Sequence, residues 1–195
     1  HRLSSAASDV YKRQAYKTAI NGYPGAVHLS LPVDIMFSSF SEDAGCSERP
    51  FELSAEAPAR AWPEPRRLQQ VLAKVAAARR PILIGGHGVW WSGAEKGLEE
   101  AGRKLGIPVY NVPYHQKLLG EQSEAYMGLA DIHQYHPSKD AFGEADLVLM
   151  VGGRLDNQMN FGNPPLFPRS AELVCVNGSH EEIDFNRAAL SLIHI

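Results

Sequence analysis

Three apolar stretches of this chain each run out into small or polar residues: "PILIGGHG" at 81–88, "LVLMVGGR" at 147–154 and "ELVCVNGS" at 172–179. Glycine at such a point lets backbone come close to a phosphate or a ring, and a helix starting there adds N–H donors. Gly86, His87 and Gly88 stand in one of these breaks, Arg154 in the second and Asn177 in the third, and together they are the candidate cofactor-binding set. Arg154 is suited either to an anion or to pairing with nearby Asp156. His87 is suited to donating to a ligand or to facing solvent. The glycines have two readings, ligand cradle or tight strand-to-helix turns. In "GGHGVWW", Gly86 and Gly88 have G-x-G spacing, but Trp91 takes the place of the third glycine of the dinucleotide fingerprint. Trp90 and Trp91 read as packing residues.

Other reactive side chains form no recognisable constellation. His28, His87, His115, His133, His136 and His180 are scattered, and His133 and His136 lack a third ligand of convincing type, so no metal site is assigned. Cys46 and Cys175 make neither a disulfide framework nor a metal spacing, and a reduced cytoplasmic setting follows as the default. No Ser-His-Asp or Cys-His arrangement with a recognised local context is present, so no catalytic residue is assigned.

The elements that must position these residues have α/β periodicity. Leu68, Val71, Leu72 and Val75 predict a helix after Arg66, closed before Pro81. "SGAEKGLEEAGRKLG" predicts a second, with Ser92 as N-cap and Gly106 at its C-terminal end. "PILIGG", "IPVYNV", "ADLVLMVGG" and "AELVCVNG" predict four buried strands. Strands and helices at these lengths call for right-handed parallel crossovers, hence a doubly wound, mainly parallel Rossmann-like sheet. Ligands of such sheets lie beyond the carboxyl ends of the strands, where all three glycine breaks would meet. Upstream, "AYKTAINGY" reads as a short helix, and "PGAVHLSLPVDI" alternates Val27, Leu29 and Leu31 with His28 and Ser30 as a strand does. That helix and strand have no sheet of their own in the sequence around them.

The termini have a separate origin. Asp9 to Gln14, "DVYKRQ", can be written GAT GTG TAT AAG AGA CAG, and the reverse complement of that DNA translates as "LSLIHI", residues 190–195. Extending the first copy upstream accounts for "SSAAS" at 4–8. An inverted repeat at both ends points to a translated sequencing adaptor, so residues 1–14 and 190–195 are set aside from fold reasoning. The chain then divides into 15–37, the end of one α/β domain; 38–65, a Ser-, Pro-, Glu- and Ala-rich linker; and 66–189, a second domain. Setting the ends aside takes Lys+Arg from 19 to 16 and Asp+Glu from 22 to 21, a net charge of 16 − 21 = −5. This acidic balance argues against nucleic acid as a partner. No apolar run reaches membrane-spanning length.

The pieces, in order, resemble thiamine diphosphate enzymes. "AINGYPGAVHLSLPVDI" is similar to the closing strand of their pyrimidine-binding domain, while "RRPILIGGHGVWWSGAEKGLEEAGRKLGIPV", "EADLVLMVGGRLDNQMNFG" and "AELVCVNGSHEEIDFNRAA" are similar to their central domain. The resemblance implies a fragment of an enzyme that makes or breaks a carbon–carbon bond next to a carbonyl, using thiamine diphosphate and Mg²⁺. Its substrate would be a small 2-keto acid or a 2-hydroxyacyl-CoA, and its assembly a homodimer or homotetramer. The glutamate that activates the cofactor and the magnesium motif would lie outside these residues.

Within the family, "RLDNQMNFGNPPLF" looks closest to 2-hydroxyacyl-CoA lyases and oxalyl-CoA decarboxylases. Acetolactate synthase-like carboligation is the alternative, and a non-catalytic nucleotide-binding module is the rival from another class. The resemblance allows FAD, ADP or CoA at the central domain. Asn177 stands where the family's V-D-I-D pattern carries an aspartate. A carboxylate there would accept from ribose hydroxyls more strongly than an amide oxygen, so Asn177→Asp is expected to tighten a nucleotide.

Overall fold

A computed structural model describes residues 3–37, 62–113, 118–131, 133, 137–179, 182–183, 186–188 and 191–194. His115, His136, His180 and Cys46 lie outside the described residues, as does most of the 38–65 linker. The chain divides into two compact units, His1–Ala59 and Arg60–Ile195. No helix among the described residues is long and apolar enough to cross a membrane.

In the first unit, α1 (Leu3–Ile20) is longer than the helix expected from "AYKTAINGY", because it continues back through residues 3–14. Gly22 turns the chain with a positive φ of 68°. The strand expected over 24–35 requires correction. Residues 24–32 have no ladder partner among the described residues, and the run ends in the one-turn helix α2 (Val33–Met36). Val27, Leu29 and Leu31 are 44%, 40% and 50% exposed, so their alternation has nothing to bury against. A strand exists only through the hydrogen bonds of a neighbour, which periodicity cannot supply.

The second unit is a sheet of six parallel strands with helices on both faces. Helix α3 (Pro65–Ala77) starts with Pro65 in its first turn, where a missing N–H costs nothing. It leads to β1 (Pro81–Gly85), α4 (His87–Trp91), α5 (Glu95–Leu105), β2 (Val109–Asn111) and β3 (Tyr126–Leu129). α6 (Pro137–Glu144), β4 (Leu147–Val151), a 3₁₀ helix (Asn157–Gly162), β5 (Glu172–Asn177) and β6 (Ser191–His194) complete it. The order across the sheet is β3-β2-β1-β4-β5-β6. It reverses between β1 and β4, the topological switch point of doubly wound folds. β6 adds residues 191–194 to the edge by pairing with β5, a contact that asks only for backbone groups.

The strands are buried on both sides, which explains why they read as continuous apolar runs. Ile82, Ile84, Val148, Met150, Leu173 and Cys175 face one layer with Phe142, Met159 and Phe167. Leu83 and Val109 face the other with Leu98 of α5. Leu147, Val174 and Val176 share that side with Val71 of α3. Gly106 closes α5 in the left-handed region, φ 65°, as expected. Ser92 does not cap α5. It ends α4 instead, its hydroxyl donating to the Gly88 carbonyl at 2.7 Å, and Ala94 takes the N-cap position. At the opposite edge of the sheet, the Asp146 carboxylate accepts from the Arg79 and Arg80 amides at 2.7 and 2.9 Å, tying the entry of β1 to that of β4. The Arg79 bond, first among the causes, holds this carboxyl below the usual aspartate range.

The two turns at the switch point leave no space for side-chain carbon. A Cβ on Gly86 would lie 2.4 Å from Cα of Gly153 and 2.5 Å from the Gly152 oxygen, both backbone atoms. Gly86→Ala should therefore lower stability by about 1–3 kcal/mol, the usual range for overpacking. Gly97→Ala, at an open helical position of α5 with nothing within 4 Å, should raise it by about 0.5–1 kcal/mol. Urea midpoints of the two variants check this; indistinguishable midpoints would remove the steric argument.

Candidate functional site

Because every strand runs the same way, the ends of β1, β4 and β5 lie side by side, and the three glycine breaks share one edge of the sheet. This brings together Gly86, His87 and Gly88 after β1, Arg154 after β4 and Asn177 at the end of β5. Between β1 and β4 the turns interlock. The Gly86 amide donates to the Val151 carbonyl at 2.8 Å and the Gly88 amide to the Gly152 carbonyl at 2.7 Å. Gly152 has φ 64°, and a Cβ there would lie 2.6 Å from the Val89 nitrogen. The tight-turn reading of the glycines thus has a geometric basis. The idea that a diphosphate takes the Gly86 and Gly88 amides needs correcting, since both already donate to the neighbouring strand.

Asn177 is 2% exposed and fully engaged. Its amide donates to the Gly153 carbonyl at 3.1 Å and to Oε2 of Glu182 at 3.0 Å, and its oxygen accepts from the Ser179 amide at 3.0 Å. Arg154 pairs with Glu182 rather than with Asp156, Nη1 to Oε1 at 3.5 Å. The Arg154 side chain is 63% exposed and that of Glu182 18%, so the guanidinium faces outward from a carboxylate held in place by Asn177. The Asp156 carboxylate instead accepts from the Gln158 amide at 3.0 Å and caps the 3₁₀ helix.

Glu182 is the residue that sequence reading missed. It lies five positions beyond the strand end, and nothing local marks it as a partner of residues 154 and 177. A second omission is the clasp formed by Asn186 and Arg187. Asn186 donates to the Leu155 carbonyl. The Arg187 guanidinium donates to the carbonyls of Gly162, Pro168, Arg169 and Ala171 at 2.7, 3.3, 3.2 and 2.6 Å. Burial, and then the charge of Arg169, lower its pKa from the ordinary arginine value. The clasp secures the loop after Arg154, where Asn160, Phe161 and Gly162 all have positive φ.

His87 is half-buried and belongs to an aromatic trio. Its ring lies 5.6 Å from that of Trp90 and 5.7 Å from that of Trp91, with the two indoles 4.9 Å apart. The remaining described histidines are elsewhere: His28 is exposed in the first unit, and the backbone amide of His133 donates to Asp131. Among the described residues, no group of three His, Cys, Asp or Glu side chains is placed to hold a metal ion.

This network gives Asn177→Asp a cost in stability. The two acceptors facing residue 177, the Gly153 carbonyl and Glu182, match an amide; a second carboxylate about 3 Å from Glu182 would be repelled by both. The substitution should cost about 1–3 kcal/mol of stability through lost donors. One carboxyl of the new pair would have a raised folded-state pKa, so the folded chain would bind the extra proton. Stability would fall as pH rises through the carboxylate range, and the deficit would be larger at about pH 7 than at about pH 4. Adding Glu182→Gln should recover most of the loss. Thermal melts across pH test this; a deficit independent of pH and of residue 182 would show that the two side chains do not interact.

Residues 68–194 match the family described as the thiamine pyrophosphate enzyme, central domain. The probable acetolactate synthase large subunit of Methanococcus aeolicus is 26% identical over 174 residues, which is 89% of this chain and 29% of that protein. The 2-hydroxyacyl-CoA lyase of Arabidopsis thaliana is 27% identical over 206 residues, 98% of this chain and 33% of that protein. The chain thus spans about a third of the length of these curated relatives. Among solved structures, benzoylformate decarboxylase from Polynucleobacter necessarius superposes with a TM-score of 0.66 at 20% identity, covering 95% of this chain and 33% of that one. A thiamine diphosphate-dependent 4-hydroxybenzoylformate decarboxylase from Rhodococcus jostii gives 0.67 at 21%, covering 94% and 34%. At those identities the two structures speak for the fold alone. The family match takes in more than half of the chain and all six strands of the sheet, so the chain belongs to the thiamine pyrophosphate enzymes and carries their central domain.

Proposed function

We propose that residues 15–37 are the end of a pyrimidine-binding domain, 38–65 a linker and 66–189 the central domain of a longer enzyme. That enzyme would use thiamine diphosphate and Mg²⁺ to cleave or form a carbon–carbon bond beside a carbonyl. The observation that carries the reading is the central-domain match over 68–194 on a sheet of order β3-β2-β1-β4-β5-β6. Thiamine, when bound, supplies the carbanion-stabilising chemistry, and protein groups orient it. The substrate is a 2-hydroxyacyl-CoA or an oxalyl-CoA-like thioester, which the "RLDNQMNFGNPPLF" loop supports. The acetolactate synthase relative, of similar identity to the lyase, supports the alternative of a carboligase acting on 2-keto acids. The intact enzyme is a cytoplasmic homodimer or homotetramer.

The central domain's part is to bind a nucleotide across the strand ends. Gly86, His87 and Gly88 line the switch point, and the exposed Arg154 guanidinium meets the diphosphate. Asn177 acts indirectly: it holds Glu182, whose carboxylate accepts from ribose hydroxyls. The glycine turns supply close approach, and the charge comes from side chains.

Expressed with its flanking genomic sequence, the protein should convert a 2-hydroxyacyl-CoA or a 2-keto acid only when thiamine diphosphate and Mg²⁺ are both present. Turnover without thiamine, or none with either substrate class, would defeat the assignment. The 195-residue chain alone should give a flat calorimetric titration with thiamine diphosphate and Mg²⁺. A saturable micromolar signal would mean that its residues have been placed in the wrong part of the family.

A further inference from the structure

We propose that the chain carries two sites of spontaneous deamidation with opposite fates: Asn21 converts in the folded protein, whereas Asn177 is kept unreactive by its network with Gly153, Ser179 and Glu182 and converts when that network opens. Of all the asparagines in the sequence, Asn21 and Asn177 alone are followed by glycine. The reaction depends on that neighbour. The backbone nitrogen of the following residue attacks the side-chain carbon Cγ, and a glycine, with no Cβ, leaves the approach open and its own dihedrals free to turn.

The step needs no co-reactant but water. A bond from the glycine nitrogen to Cγ forms as the Cγ–Nδ2 bond breaks, and the backbone N–H proton passes through solvent to the departing amine, which leaves as ammonia. Water then opens the cyclic imide at one carbonyl or the other, giving aspartate or isoaspartate. Nothing is oxidised or reduced. Attack requires loss of the backbone N–H proton, so the rate rises with pH.

Asn21 directly follows α1, and both it and Gly22 are exposed. Among the described residues, neither the Asn21 side chain nor the Gly22 amide has a hydrogen-bond partner. Gly22 turns with φ 68°, and a Cβ there would meet nothing within 4 Å, so the backbone has room to bring its nitrogen to Cγ. Asn177 presents the same dipeptide in the opposite setting. It is 2% exposed at the end of β5. Its Nδ2 is held by the Gly153 carbonyl and by Glu182, and its Oδ1 by the Ser179 amide, at 3.1, 3.0 and 3.0 Å. With both ends of the side-chain amide held, Cγ cannot swing onto the Gly178 nitrogen until these bonds break. Conversion there would also be one-way in its effect, because it would place a carboxylate beside Glu182 and the original network could not re-form.

The test is to incubate the folded 195-residue chain at mildly alkaline pH and follow its proteolytic peptides by mass spectrometry, which reads the exchange of NH₂ for OH, with chromatography to separate isoaspartate from aspartate. The Asn21 peptide should convert to both products. The Asn177 peptide should lag it by roughly a hundredfold or more, the scale of three hydrogen bonds that must open first. In urea that unfolds the chain the two rates should come together. Glu182→Ala, which removes one of the three bonds, should speed conversion at 177 in buffer by roughly tenfold, the scale of a hydrogen bond to a charged group, and leave residue 21 unchanged. Asn163 is an internal control: it is exposed, but Pro164 has no N–H with which to attack, so it should stay intact throughout. Equal rates at 21 and 177 in the folded chain would overturn the protection of Asn177. An Asn21 that stays intact in buffer and converts in urea would overturn the open site. Should Glu182→Ala fail to fold, the comparison of buffer with urea in the unaltered chain decides both.

Discussion

Two parallel strands that start away from the switch point in opposite directions must still bring their carboxyl-terminal turns together at the spacing of neighbouring strands, about 4.8 Å. Here that contact is backbone against backbone. Gly86 and Gly88 lie directly on Gly152 and Gly153, with two amide-to-carbonyl bonds across the seam. The consequences spread outward from it. Helix α4 begins on the seam, so the direction of its aromatic face is set there. Arg154 leaves the seam on the other side, which sets where its cation can reach. The switch point, usually described as an opening for ligands, is in this chain first a closed joint. Any ligand must lie across it and not within it.

Around that joint, polar groups are organised by matching donors to acceptors. Asn177 offers two N–H groups to two acceptors and one oxygen to one amide. This arrangement holds the Glu182 carboxylate beside the strand end and close to the Arg154 guanidinium. Were residue 177 an aspartate, two negative groups would compete for one place. The 3₁₀ loop beyond Arg154 is governed similarly: four carbonyls that no helix or strand satisfies converge on the Arg187 guanidinium. A planar group with five donors suits four converging acceptors better than an ammonium would.

Membership of the family and the details of this site bear on different questions. The family match concerns the sheet and its topology, and relatives named acetolactate synthase and 2-hydroxyacyl-CoA lyase are similar to the chain to nearly the same degree.

Much of the architecture was legible in the residues. Continuous apolar runs bounded by glycine identified β1, β2, β4 and β5, because strands covered on both faces have no polar side to alternate with. Helical spacing of Leu68, Val71, Leu72 and Val75 marked α3, and Gly106 marked the end of α5, since a left-handed cap requires it. These are local properties of single elements, and the parallel α/β class followed from their order. The tertiary structure decided what depends on neighbours distant in sequence. β3 breaks its short apolar run with Gly128, and β6 lies within the terminal residues set aside from fold reasoning; both exist as strands through their partners, while the cleaner alternation at 27–31 has no described partner and makes no strand. Ser92 closes α4 instead of opening α5 because that short helix, invisible to periodicity, ends there. The glycine amides proved to be committed, Arg154 found Glu182 and not Asp156, and Asn177 became a donor that holds a carboxylate. Hydrogen bonds and ion pairs join groups by distance in space, and that distance is set only when the strands are laid side by side.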